Sequence, residues 1–124
     1  MLSELVLSMP AEMSISTCSV ALGKFNYGIL LRQMSYVIKT GIEQRDAAIK
    51  MNALGATTLV YKDKKFIIPN TNFDALHTEQ NLHALLVQSL KSEEDDVLII
   101  CSDNKSETIA EFAAKSAALI THES

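Results

Sequence analysis

The sequence predicts an α+β fold: a single small domain over residues 1–124, with a mixed β-sheet and helices packed mainly on one face of it. Three observations predict this fold. The chain has 124 residues, close to the commonest size of one domain. Hydrophobic residues make up 48% of it and aromatic residues 6%, which is enough aliphatic side chain for one core without disulfides or metals. Short β-branched segments also alternate with longer segments of helical periodicity.

The first strand is predicted at residues 12–22, which are rich in Ser, Thr and β-branched residues. The apolar positions of this segment alternate up to Ile15 and then change phase at Cys18. A change of phase by one residue indicates a bulge or a strand that changes faces. We expect the strand to end at Gly23.

A long amphipathic helix is predicted at residues 26–54. Asn26 is its expected N-cap, and Gly55 stands where a left-handed C-terminal cap favours glycine. Gly41 lies inside the segment and is expected to bend or divide the helix. The residues at helical spacing are Leu30, Met34, Val37, Ile38, Ile42 and Ile49.

A β-hairpin is predicted next, with strands at residues 57–62 and 66–69 joined by a turn at 63–65. After a polar loop, Thr78 is expected to cap a second helix. The apolar face of that helix carries Leu82, Leu85, Leu86 and Leu90. The acidic run at residues 93–96 is expected to be a solvated loop.

Residues 97–101 form an uninterrupted apolar run, which is typical of a central strand covered on both faces. Asn104 and Glu107 have the spacing of a capping box and predict the start of a final helix. The residues expected to line the buried side of that helix are Ile109, Phe112, Ala113, Ala117 and Ile120.

Composition and charge exclude several classes of function. The net charge at pH 7 is −4, so the chain lacks the positive surface that nucleic-acid binding requires. No apolar run approaches the roughly 18 residues of a membrane span. The two cysteines are far apart in the chain and form no disulfide framework. We therefore expect a cytoplasmic protein with no nucleic-acid or membrane partner. No glycine-rich phosphate loop is present, and no cofactor is expected.

The first candidate site is the turn that follows the predicted central strand. A helix N-terminus after a strand can lower the pKa of a neighbouring thiol and offers free backbone N–H groups to an anion. Cys101 is therefore a candidate nucleophile, and the candidate anion ligands are Ser102, Asn104, Lys105 and Ser106. The alternative is a structural, buried cysteine, which is the commoner role at the end of a core strand. Thiol phosphatases have Arg six residues after their Cys, where this chain has Glu107, so no family is assigned.

The second candidate site is a set of carboxylate and imidazole groups: Asp74, His77, Glu79 and His83. Glu79 and His83 are four residues apart and share a helix face. Such groups can hold a transition metal, although their spacing does not match the helical zinc motif. The alternative is a solvated ion pair on the helix surface, and we expect no bound metal.

Two hypotheses about function remain open. The leading one is a small, acidic, non-enzymatic domain of bacterial type that binds another protein as an adaptor, a chaperone-like protein or an immunity-type regulator. The alternative is a small thiol enzyme or anion-binding domain that uses the turn at residues 101–106.

Self-association as a homodimer is expected, because a domain this small cannot bury all of a 48% hydrophobic composition. Candidate contacts are the edge of the predicted hairpin and four residues off the main apolar stripe of the predicted long helix, namely Ile29, Leu31, Tyr36 and Met51.

Overall fold

The computed structural model describes residues 11–15, 23–35, 38, 41–69, 71, 73–90 and 92–123. Within these residues, five strands and three helices follow one another along the chain. They are β1 (Ala11–Ile15), β2 (Phe25–Leu31), α1 (Ile42–Lys50), β3 (Gly55–Lys62), β4 (Lys65–Ile67), α2 (Gln80–Leu90), β5 (Val97–Asp103) and α3 (Glu107–Glu123).

The five strands form one sheet in the order β1-β2-β5-β3-β4. Every pair of neighbouring strands is antiparallel, so the sheet is antiparallel over the described strands and not mixed as predicted. The predicted central strand is confirmed: β5 lies in the middle, and all seven of its residues are buried. It continues two residues past Cys101, to Asp103.

The sheet separates two apolar layers. On the side we call the alanine face, α1 and α3 pack against Val97, Ile99 and Cys101 of β5. On the opposite side, the leucine face, α2 and the segment before it pack against Leu98 and Ile100. The buried helix residues of the alanine face are Ala47, Ala48, Ala113, Ala114, Ala117 and Ala118. The α+β class is therefore confirmed, with two of the three described helices on one face.

The predicted long helix over residues 26–54 is wrong at its start, where the chain forms β2. Ile29, Leu30 and Leu31 are all fully buried, because β2 lies beside β5 and is covered on both faces. A strand of this kind has a continuous apolar run, which helical spacing can also fit. Asn26 is not a helix cap: its Oδ1 accepts from Gly23 N–H, and its Nδ2 donates to Gly23 O.

The described helix of this region is α1, which begins after Gly41 and ends at Lys50. Gly41 has a φ of 90°, a left-handed conformation that glycine adopts without strain. The left-handed residue just past the C-terminus is Asn52, with a φ of 67°, so Gly55 is not the predicted cap and opens β3 instead. The predicted first strand is present as β1, and its continuation at 16–22 lies outside the described residues.

The hairpin is confirmed as β3 and β4, joined by Asp63 and Lys64, both with positive φ. Helix α2 begins at Gln80, one residue later than a cap at Thr78 predicts. Helix α3 is capped by Ser106, whose Oγ accepts from Ile109 N–H at 3.3 Å. Phe112 and Ile120 were expected inside but are among the exposed side chains.

Asp96 corrects the expectation of a solvated acidic loop, because its side chain is fully buried. Its carboxylate accepts from Arg32 Nη1 at 2.8 Å and from the backbone N–H groups of Gln33 and Glu93 at 2.9 and 2.8 Å. A buried carboxylate needs such partners to offset its desolvation. Asp96 thereby joins the end of β2 to the start of β5.

Candidate functional site

The thiol of Cys101 lies inside the core. It is fully buried on the alanine face, and burial raises its pKa from 9.0 to about 12. This corrects the expectation that a helix dipole would lower the pKa. Ser102, Asp103 and the turn lie between the thiol and the start of α3. The surrounding side chains exclude water from the thiol. A thiol with this pKa stays protonated at pH 7 and is a poor nucleophile.

The turn after β5 satisfies its own backbone groups. Asp103 Oδ2 accepts from the N–H groups of Lys105 and Ser106, both at 2.9 Å. Asn104 Oδ1 accepts from Lys24 N–H at 2.9 Å, and Ser102 is buried in the strand. The carboxylate of Asp103 therefore occupies the place where an anion would bind. This geometry does not favour the predicted anion site.

The predicted metal ligands are not brought together. His83 packs against the rings of Phe66 and Tyr61, at centroid distances of 5.4 and 6.4 Å. His77 contacts the ring of Phe73 at 5.6 Å, and its Nδ1 lies 3.1 Å from Asp74 O. Over the part of the chain that the structure describes, no three His, Cys, Asp or Glu side chains form a group that could hold a metal ion. The candidate site at His77, Glu79 and His83 is therefore not assembled.

A groove not anticipated from the sequence lies at the start of α1. Its larger part has a volume of about 240 Å³, and a neighbouring part of about 160 Å³ shares Ile68 and Pro69 with it. The groove forms because β4 pairs with β3 only at Val60–Lys62, and the chain then turns away. The larger part is lined by Gly41, Ile42, Arg45, Ala56, Thr57, Thr58, Ile68 and Pro69.

Thr58 is the unusual residue of this groove. It is 5% exposed, and its Oγ1 has no hydrogen-bond partner among the described residues. A buried hydroxyl without a partner is costly and rare in folded proteins. The hydroxyl faces the start of α1, since a Cβ built on Gly41 would lie 3.5 Å from Thr58 Oγ1. No described side chain caps α1 at this end.

The outer surface of α1 is apolar at its centre. Ile42 is 51% exposed and Ile49 49%, and they lie seven residues apart on the side opposite the buried Gln44, Ala47 and Ala48. Met51 and Leu54, which follow the helix, are also exposed. The first turn of α1 carries Glu43 and the last turn carries Lys50. We call Ile42, Ile49 and these two charged residues the outer face of α1.

Sequence reasoning missed the residues of both features. The sequence predicts a break inside a helix at Gly41, whereas Gly41 is the N-cap residue that precedes α1. Arg45 and Thr58 carried no signal, because a missing hydrogen-bond partner is a property of the folded chain. Ile49 was assigned to the buried stripe, since its spacing was measured against β2 residues wrongly placed in the same helix.

Comparison with known proteins places the chain in a family. A family model described as "Domain of unknown function (DUF4443)" matches residues 22–122, which run from before β2 to the penultimate residue of α3. The chain belongs to this family. No curated protein matches the DUF4443 chain significantly.

Solved structures show the same fold. One is described as "Hypothetical protein PH0730 from Pyrococcus horikoshii OT3"; it is 23% identical and superposes with a TM-score of 0.66. The match covers 98% of this chain and 59% of that protein, so the DUF4443 chain spans about three fifths of its length. Among the described helices, none is both long and apolar enough to cross a membrane.

Proposed function

We propose that this DUF4443 domain acts by binding a protein and not by catalysis, and that its partner is a second copy of the same chain. The observation that carries the proposal is the outer face of α1, where two isoleucines are about half exposed at the centre of a helix surface. Single exposed apolar residues are ordinary on soluble proteins, but two on one face, continued by Met51 and Leu54, form a contact patch.

The charges on α1 favour a second copy as the partner. Closed two-fold contacts are the commonest in homo-oligomers, and each patch then meets its own image. Two antiparallel copies of α1 around such an axis bring Ile42 of one chain to Ile49 of the other. The same arrangement sets the acidic first turn at Glu43 opposite the basic last turn at Lys50. The face therefore pairs apolar with apolar residues and opposite charges with one another across such an axis.

The homodimer contact that we propose from the structure differs from the one predicted from the sequence. Ile29 and Leu31 are core residues, so replacing them with Glu would unfold the domain and would not test association. Tyr36 lies outside the described residues. Met51 remains a candidate contact beside the outer face of α1. The thiol-enzyme alternative receives no support from Cys101, and the cytoplasm remains our proposed compartment because the cysteines need no oxidising environment.

Sedimentation equilibrium at micromolar concentration tests the proposal with a matched pair of variants. Ile49→Glu should raise the dimer dissociation constant by roughly 30-fold or more, the factor that corresponds to the loss of an interface hot spot. Leu85→Glu is the control, because Leu85 is 47% exposed on α2, across the sheet. A single species at the chain mass of 13.6 kDa for the unaltered protein would contradict the proposal, as would equal dissociation by both variants.

A charge exchange tests the antiparallel arrangement. Glu43→Lys and Lys50→Glu should each weaken the dimer, because each places like charges opposite one another. The double variant should recover most of the affinity. Each change also places a charge that the helix dipole disfavours, and the two penalties add in the double variant. A recovery of dimer affinity in the double variant can therefore come only from charge pairing between the two chains. If the double variant is the weakest of the three, the antiparallel contact is wrong.

A further inference from the structure

We infer that the dimer contact extends from α1 to α3, so that two helices of each chain form the interface and Leu119 meets its own image beside the two-fold axis. The inference rests on the proposed dimer and deepens it, because it states which further surface the second copy covers. The observation that carries it is a second row of exposed apolar side chains, on α3, beside the outer face of α1.

Helix α3 has exposed apolar side chains of its own: Phe112 is 53% exposed, Leu119 39% and Ile120 40%. Phe112 and Leu119 are seven residues apart, so they lie on one side of the helix, opposite the buried Ala114 and Thr121. We call Phe112, Leu119 and Ile120 the outer face of α3. A helix face that meets only water normally carries polar residues, so an apolar row of this kind marks a contact surface.

The charged side chains of α3 that the structure describes are held on its flank toward β1. Lys115 Nζ lies 3.7 Å from Glu12 Oε1 of β1 and 2.6 Å from Glu111 Oε2. Ser14 of β1 donates a hydrogen bond to Glu107. A second copy on the outer face of α3 therefore need not desolvate these charges, a cost that would oppose association.

The two outer faces lie side by side in one layer, because α1 and α3 pack on the same face of the sheet and contact each other. The two helices run in opposite directions. In the first turn of α1, Gln44 Nε2 donates to Thr121 Oγ1 near the end of α3, at 2.8 Å. After the end of α1, Leu54 N–H donates to Ser102 O at 2.9 Å, close to where α3 begins. The outer face of α1 therefore continues into the outer face of α3.

The antiparallel pairing of α1 determines what α3 meets. The exposed residues of α1 lie opposite its buried ones, so the two copies stack face to face. A two-fold axis that sets Ile42 opposite Ile49 crosses α1 midway between them. Because Gln44 lies beside Thr121, the same axis crosses α3 about one or two residues before Thr121, next to Leu119. Helix α3 then faces α3 of the second copy, and the two are antiparallel.

The area of the contact also requires α3. A specific dimer buries about 800 Å² on each partner. Helix α1 has nine residues, so it is about 14 Å long and about 10 Å wide, with a flat footprint of roughly 140 Å². Helix α3 has 17 residues, and adding it roughly triples this footprint. Even allowing for projecting side chains, the outer face of α1 alone is too small for a stable dimer.

Disulfide formation by single cysteines tests the position of the axis. In a background of Cys18→Ala and Cys101→Ala, Leu119→Cys should link two chains when oxidised glutathione is added. Phe112→Cys is the matched control on the same helix. It lies about 11 Å from the axis, so its two copies are about 20 Å apart, whereas a disulfide spans a Cα separation of at most about 7 Å. Equal cross-linking of both variants, or no cross-linking of Leu119→Cys in a sample that sediments as a dimer, would overturn the inference.

Sedimentation equilibrium distinguishes a failure of this inference from a failure of the proposed dimer. Leu119→Glu should raise the dimer dissociation constant at least tenfold, and the control Leu85→Glu should leave it unchanged. If Ile49→Glu weakens the dimer and Leu119→Glu does not, the contact through α1 stands and its extension to α3 is wrong. If the unaltered protein is monomeric, both are wrong. Because Leu119 is exposed, Leu119→Glu should keep the circular dichroism spectrum of the folded chain, so that a change in mass reports association.

Discussion

The two faces of the sheet are built from different side chains. On the leucine face, α2 and the segment before it contribute Leu76, Leu86 and Leu90, and the ring of Phe66 packs at a tilt against that of Tyr61 with centroids 4.9 Å apart. On the alanine face, α1 and α3 contact the sheet and each other mainly through small side chains. Large side chains bury more apolar area per residue, whereas alanines allow helices to approach closely. We therefore expect the leucine face to be the main stabilising layer and the alanine face to set the position of α1.

Among the changes that test the difference between the two faces, Phe66→Ala should lower the free energy of unfolding most. Phe66 is fully buried and contacts both Tyr61 and His83. Truncation of a buried Phe costs about 3–5 kcal/mol, through lost burial and the cavity left behind. Urea unfolding measures this cost. A loss below about 1 kcal/mol would show that the leucine face is not the main stabilising layer.

Ala117→Leu should destabilise the alanine face in the opposite way, by overfilling it. Ala117 is fully buried where α3 meets α1 and the sheet, so a larger side chain must push the helices apart. The expected cost is about 1–3 kcal/mol. Ser116→Leu is the matched control, since the neighbouring position is only partly buried and should change stability by less than about 0.5 kcal/mol. Equal effects at both positions would argue against close packing.

The thiol of Cys101 should make stability depend on pH in the alkaline range. Its pKa is about 12 in the folded chain and near 9.0 when unfolded, so between these values the unfolded chain has lost a proton that the folded chain keeps. The free energy of unfolding then falls as pH rises, by up to roughly 1.4 kcal/mol per pH unit, and this contribution is complete below pH 9. Urea unfolding at pH 8 and pH 10 measures the fall, and Cys101→Ala should reduce it.

The tyrosines set the background of that measurement. Burial raises the pKa of Tyr61, and burial together with a hydrogen bond to Glu12 raises the pKa of Tyr27, so both begin to add to the fall as pH approaches 10.0, the ordinary pKa of tyrosine. These contributions remain in Cys101→Ala. An identical pH dependence in the variant would show that the thiol is accessible to water in the folded state.

The smallest expected effect concerns the polar contact between the two helices of the alanine face. Gln44 Nε2 donates to Thr121 Oγ1 at 2.8 Å, and both residues are buried. In a double-mutant cycle with Gln44→Met and Thr121→Val, the coupling energy should be about 1 kcal/mol, because Thr121→Val leaves the buried Gln44 Nε2 unpaired, whereas after Gln44→Met the Thr121 hydroxyl still donates to Ala117 O at 2.8 Å. A coupling energy near zero would show that this hydrogen bond does not fix the position of α1.

The strands that the sequence predicted well are those whose pattern matches one environment. The run at residues 97–101 has the continuous apolar character of a central strand, and the hairpin at 57–69 has two strand-forming segments on either side of a polar turn. β2 was missed because its buried residues on both faces, followed by Met34, also fit the spacing of a helix. That ambiguity is physical, since burial on both faces removes the alternation that identifies a strand.

The candidate sites were harder to predict for a related reason. The reactivity of Cys101 depends on how far the strand continues and on what covers it, and neither is local. The turn at residues 103–106 resembles an anion site until the carboxylate of Asp103 is placed in it. The groove at α1 depends on where β4 ends relative to β3, and this is a property of the folded sheet.

The strand order also determines how the chain can fold. β5 lies between β2 and β3, yet it comes last of the five strands along the chain. The pairs β1–β2 and β3–β4 therefore cannot join into one sheet until β5 has been synthesised and pairs with both. During synthesis each hairpin exposes the edge that β5 will later cover, and such edges are prone to aggregation. We therefore expect cooperative collapse only after the ribosome has released residues 97–103, and slow folding dominated by these distant pairings. A nascent chain arrested before residue 97 should be sensitive to proteases over all its strands.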